Sequence, residues 1–98
     1  MNFVRKQPNE EFPVSIDFGA ELALGEFISS AAVTVRNAAT GADSGATIKE
    51  GPESITGPVV TQGIRGGANG ERHILTMLAT TSLGNKWEDE ISITITEV

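Results

Sequence analysis

Residues 60–95, VTQGIRGGANGERHILTMLATTSLGNKWEDEISITI, decide how the whole chain is read. Val60 to Ile64, Arg72 to Thr80 and Trp87 to Ile95 each alternate as β-strands do. The Gly-rich link Arg65-Gly66-Gly67-Ala68-Asn69-Gly70 and the turn Ser82-Leu83-Gly84-Asn85 separate them. Side chains on a strand repeat with period two, and tight connections favour residues that tolerate positive φ, so this pattern predicts an antiparallel meander. It leaves almost no residue for a lid, a helix or a catalytic loop.

The three strands differ in how they face their surroundings. Between Arg72 and Thr80 both faces are partly apolar, which predicts a central strand. Trp87, Asp89, Ile91, Ile93 and Ile95 share one face of the last strand and Glu88, Glu90, Ser92, Thr94 and Thr96 the other, a half-buried pattern that puts the isoleucines in a core. Working towards the N-terminus, Gly51-Pro52 and Gly57-Pro58 read as turns, Ala46 to Lys49 as a short strand and Ser54 to Thr56 as a marginal one. Asn37 to Gly45 is small and polar and reads as an exposed connection. Phe27 and Ile28, then Ala31, Val33 and Val35, predict a strand with a bulge at Ser29-Ser30, where the parity shifts.

Phe12, Val14, Ile16 and Phe18 alternate with polar residues and predict the first strand of the domain. Pro8 and Pro13 lack an amide donor, so this part of the chain belongs at a sheet edge or in an extended tail. Gly19 and Gly25 bracket a segment too short for a stable helix, predicted as a loop that tucks Leu22 or Leu24 under the sheet. Residues 1–11 read as an extended N-terminal arm and residues 12–98 as one domain. About seven short strands in a chain of this length predict an all-β fold, an immunoglobulin-like or fibronectin-III-like antiparallel β-sandwich.

At 98 residues the chain is long enough for one core and no more. No apolar run approaches the roughly 20 residues that cross a bilayer, and Met1 to Pro8 lacks the features of a signal peptide, so a soluble protein made in the cytoplasm, with no membrane partner, is expected. There is no cysteine, which excludes disulfides, thiolate metal sites and a cysteine nucleophile. A net charge of −6 with seven scattered basic residues argues against nucleic acid as a partner.

Features that suggest chemistry have plainer readings. Gly63 to Gly70 is glycine-rich but lacks the Lys-Ser/Thr and following helix of a phosphate loop, so Gly63 reads as a bulge or close backbone approach and Gly66-Gly67 as a turn. His73 has no Gly-x-Ser-x-Gly partner motif and reads as structural, a ring nitrogen standing in for the tyrosine hydroxyl that such sandwiches place near the start of this strand. Of Glu88, Asp89 and Glu90, at most Glu88 and Glu90 converge, too few for calcium with its roughly six to eight oxygens. No catalytic, cofactor-binding or metal-binding residue is expected. Trp87 reads either as packing over the sheet end or as a partner contact.

The order of these pieces is similar to small tailed-phage or prophage fibre-tail adaptors, an immunoglobulin-like virion family. The resemblance rests on Gly66-Gly67-Ala68-Asn69-Gly70, His73 to Ala79, Thr80 to Asn85 and Glu88 to Ile95, with Lys6-Gln7-Pro8, Pro13 to Phe18 and Ile28-Ser29-Ser30 at the front. Two positions depart from it: His73 stands where relatives carry Tyr, and Gln62-Gly63 replaces a strand-favouring pair. The resemblance implies a non-enzymatic virion component without cofactors, present in several copies, that links tail or connector to fibres or to copies of itself. Phe3, Val4, Arg5 and Lys6 on the arm and Trp87 are the expected partner contacts, with the loop Asn37 to Gly45 as a further one. The alternative is a carbohydrate- or host-surface-binding immunoglobulin-like module, capsid decoration included, which needs Trp87 exposed beside polar groups.

Overall fold

The computed structural model describes residues 2–97; the outer bounds of the expected arm and domain, Met1 and Val98, lie outside the described residues. Strands β1 (Asn2–Lys6), β3 (Ile28–Asn37), β6 (Arg72–Thr81) and β7 (Lys86–Ile95) form one sheet in the order β1-β7-β6-β3. β2 (Phe12–Asp17), β4 (Lys49–Thr56) and β5 (Val59–Ile64) form the second, in the order β2-β5-β4. The two pack face to face as the immunoglobulin-like sandwich that the alternation predicts. A 3-10 turn at Gly19–Glu21 and a single helical turn, α1 (Gly45–Ile48), are the other elements.

The core follows from the alternation. Val14, Ile16 and Phe18 face Val33 and Val35, Val60 and Ile64, Leu75, Met77 and Ala79, and Ile91, Ile93 and Ile95, and all are buried. Each fully buried aliphatic side chain of this kind contributes roughly 1.5–3 kcal/mol relative to leaving it in water. β6 is central, between β7 and β3, β2 is the edge its proline requires, and the register between β3 and β6 shifts at Ile28/Ser30 where the parity changes.

The N-terminal segment takes the sheet-edge form of its two expected ones: Asn2–Lys6 pairs with β7, Asn2 opposite Ile91 and Lys6 opposite Ile95, and this pairing is parallel in an otherwise antiparallel fold. Three expectations are corrected. Residues 60–95 are not one meander, because β5 pairs with β2 and β4 whereas β6 pairs with β3 and β7. The Gly-rich link instead carries the chain from one sheet to the other, so closely that a Cβ on Gly66 would lie 2.7 Å from the Thr47 carbonyl and one on Gly67 2.8 Å from the Ile95 side chain. Ala46 to Ile48 is part of α1, where the Thr47 and Ile48 amides donate to the Ser44 carbonyl and Ile48 drops into the core. Phe27 lies outside β3 and is exposed.

The unusual pair Gln62-Gly63 has a packing reason. β4 leaves register with β5 between Glu50 and Ser54. The buried Gln62 amide fills the gap, its Nε2 donating to the carbonyls of Gly51 and Gly63 at 2.9 Å and of Glu50 at 3.3 Å. Gly63 lets the Glu50 carbonyl approach where a Cβ would stand 2.7 Å from it.

Lys6 closes the end of the sandwich. Its side chain is fully buried, and its ammonium donates to the carbonyls of Gly66 at 2.7 Å, Gln7 at 2.8 Å and Pro8 at 3.1 Å. Burial pushes its pKa below the ordinary lysine value, partly offset by Glu10 and Glu11. The native state then holds its proton less tightly than the unfolded chain, so stability rises with pH as the solution passes from the lowered folded value to the ordinary one. Lys6→Met keeps the stem but takes the donor from the Gly66 and Pro8 carbonyls, while the Gln7 carbonyl keeps the Glu10 amide at 3.1 Å, and is expected to cost about 1–3 kcal/mol, read as a lower urea midpoint. An unchanged midpoint contradicts the clamp.

Candidate docking surfaces

The expected contact residues separate into three environments. Phe3 is 77% exposed and Arg5 is also exposed, both on the outer face of the four-stranded sheet. Val4, on the inner face, is half-buried against the core, and Lys6 is fully buried in the carbonyl clamp. Their inward direction follows from the parallel register with Ile93 and Ile95.

Trp87 lies at the other end of the molecule. It packs against the core, half-buried, beside a cleft of about 170 Å³ that Ile16, Phe18 and Glu21 also line, and its indole N–H is buried without an acceptor. A ring held this way is packed over the sheet end with one side bordering that cleft. The loop Asn37 to Gly45 is exposed but tied down, with Asn37 Oδ1 accepting from the Ala39 amide at 2.9 Å and Asp43 Oδ1 from the Gly45 amide at 2.8 Å.

The loop between β2 and β3 tucks one of its two leucines under the sheet, as expected, and leaves the other in solvent. Leu24 is fully exposed, at 106%, while Leu22 alone packs against the core. Phe27, 61% exposed, and Leu83, 66% exposed, stand near it, because the Ser82 amide donates to the Phe27 carbonyl at 2.8 Å and so joins the β2–β3 loop to the β6–β7 turn. A groove of about 530 Å³ runs beneath, lined by Leu22, Leu24, Phe27 and Pro58. Single exposed apolar residues are ordinary; several gathered at one tip mark an interaction surface.

Glu26 builds that tip. One carboxylate oxygen accepts from the Ala23 amide at 2.8 Å, and the other from the Thr81 hydroxyl and from Asn85 Nδ2 at 3.2 Å. These bonds, the Thr81 hydroxyl first and the Ala23 amide next, hold its pKa below the usual carboxylate range. Sequence reading passes over Glu26 because Thr81 and Asn85 lie 55 and 59 residues away along the chain.

The buried His73 likewise holds structure. Its Nδ1 bonds Ser44 Oγ at 2.8 Å and its Nε2 bonds Glu71 Oε1 at 3.1 Å, so the ring reaches two side chains rather than the main chain that a corner tyrosine would bind. Glu71 is held below the usual carboxylate range by the Ala68 amide first and then by His73. On the outer face Glu90 takes Arg36 at 3.3 Å and Thr76 at 3.2 Å. Among the described residues no group of three or more His, Cys, Asp or Glu side chains gathers as a metal site, and no helix is long and apolar enough to cross a membrane.

Because the folded pKa of Glu26 is depressed, its contribution is complete above the unfolded value and is lost as pH falls through the folded one. Protection of the Ala23 backbone amide and the Asn85 side-chain amide, read as the exchange rate relative to the unprotected rate at the same pH, is therefore expected to fall on acidification below the carboxylate range, and in Glu26→Ala already at neutral pH. Protection indifferent to both changes would remove Glu26 from this role.

The exposed apolar tip and the exposed residues of β1 both lie at strand ends and edges, leaving the sandwich interior to packing. A comparison with curated proteins found no match. The family model for podophage GP4 fiber-tail adaptor protein gp77 matches residues 6–96, from the buried end of β1 to just past the end of β7. With nearly its whole length matched, the chain belongs to that family of phage fibre-tail adaptors.

Proposed function

We propose that the protein is a non-enzymatic virion component, made in the host cytoplasm, that joins a tail or connector protein to a fibre in several copies contacting one another. One observation carries this reading: different exposed surfaces lie towards opposite ends of an elongated body. The Cα envelope measures 44 × 23 × 21 Å. A ten-residue strand spans about 33 Å, so the long axis follows the strands. Leu24, Phe27 and Leu83 crown one end, while β1 with Phe3 and Arg5 flanks the other half. A rigid sandwich of this kind transmits the position of one partner to the other without moving parts. The acidic net charge and the absence of a phosphate-binding motif support protein partners over nucleic acid.

Replacing Leu24, Phe27 and Leu83 together with serine leaves the core untouched, and the variant is expected to fold with an unchanged or slightly raised Tm. Its recovery in purified particles is expected to fall by about tenfold or more, the loss of one or more apolar anchors at an interface. Normal incorporation of the folded variant contradicts the tip as a docking end, and normal particles formed without the protein contradict the adaptor reading itself.

A further inference from the structure

The chain is acidic overall, yet one corner of its larger sheet is basic. In register across the strands, Phe3 lies beside Ser92 and Ser92 beside Ile74, while Arg5 lies beside Thr94 and Thr94 beside Arg72. Residues in register share a face, and Ile91, Ile93 and Ile95 take the inner one, so these six belong to the outer face. Ile74 and Ser92 are nonetheless buried, at 4% and 1%, and form a small floor at whose margin the Phe3 ring stands free. Strands are about 4.8 Å apart, which sets the Cα atoms of Arg5 and Arg72 about 10 Å from each other, within the range where their fields add. Glu10, around the turn from Arg5, keeps its charge near Arg5 but is fixed in place by the Gln7 amide, from which it accepts at 2.7 Å.

The main chain is open at the same place. β1 ends its sheet, parallel to β7, and the Thr96 amide donates to the Lys6 carbonyl at 2.9 Å. In a parallel ladder alternate residues turn both their N–H and their C=O to the neighbour. Asn2, Val4 and Lys6 therefore face β7, and Phe3 and Arg5 turn both groups outward, where no described residue pairs with them.

We propose that this edge accepts an extended acidic segment of a partner protein, which adds as a further strand beside β1, sets a carboxylate against Arg5 within the field of Arg72, and covers Phe3. The inference rests on the adaptor reading for the existence of a protein partner and names the chemistry of one. Strand addition supplies affinity through main-chain hydrogen bonds and specificity through alternate side chains. The charge pattern selects an acidic strand over a second copy, since pairing two β1 edges would bring both Arg5 and both Arg72 side chains onto one face.

The test uses the full chain, labelled with 15N, and three capped seven-residue peptides: alternating valine and glutamate, alternating valine and lysine, and the glutamate peptide N-methylated at alternate amides. The glutamate peptide is expected to shift the Phe3 and Arg5 amides and slow their exchange, with the lysine and N-methylated peptides binding about tenfold more weakly or not at all. Arg5→Glu is expected to lose about tenfold in affinity. Phe3→Pro removes a donor only on the free side of β1, so it keeps the circular dichroism of the parent and loses binding. No binding of the glutamate peptide, equal binding of the lysine peptide, or unchanged binding by a folded Phe3→Pro chain overturns the proposal. Shifts at Phe3 and Arg5 that grow with protein concentration alone overturn it in favour of a second copy. Peptide binding is read without particles, so its failure leaves the adaptor reading standing, and failure of particle assembly to need the protein leaves the edge site standing.

Discussion

The Lys6 ammonium, buried and held by three carbonyls, is the constraint on which the arrangement of the chain depends. It joins the end of β1, the turn that follows and Gly66 in the link between the two sheets. A buried cation without a carboxylate is costly, and it persists here because three carbonyls satisfy its three protons. The same point fixes β1 against Ile95 and fixes where the link crosses, so the edge strand and the sheet-to-sheet passage are set together. Gly66 and Gly67 make the crossing possible, since side chains there would meet Thr47 and Ile95.

From this closed end the structure reads outward to its surfaces. β7 is paired on both sides, to β1 and to β6, and cannot serve as an edge. The larger sheet ends at β1 on one side, beside Phe3 and Arg5, and at β3 on the other. At the far end Glu26 draws two loops together and displays Leu24, Phe27 and Leu83. The exposed tip and the open edge are thus set by two polar hubs, one buried and one at the tip. An adaptor needs rigid display rather than a pocket, and this architecture supplies it.

Much of the fold is legible residue by residue. The isoleucines of β7, the mixed faces of β6, the proline that restricts β2 to an edge and the parity change at Ser29-Ser30 all predict what the structure has. The site is less legible. Phe3 and Arg5 are readable as exposed, but Lys6 beside them reads as an equally free cation until Gly66 is placed within its reach. Leu22 and Leu24 read as equal candidates for the tucked position, and the choice of Leu22 goes with a loop that Glu26 ties to residues more than fifty positions away. Trp87 reads two ways because its neighbours Ile16 and Phe18 lie on the other sheet.

Local alternation, with its period of two, and the residues that tolerate positive φ determined by themselves that this chain is a β-sandwich and where most of its strands run. Partner choice between strands was left to tertiary structure: that Asn2–Lys6 joins β7 as an edge, that β5 and β6 lie in different sheets, and that two loops meet at an apolar tip. The physical reason is range. Alternation is imposed by the backbone between adjacent residues, whereas pairing is decided by which remote segment satisfies a buried ammonium, an open carbonyl or an exposed carboxylate.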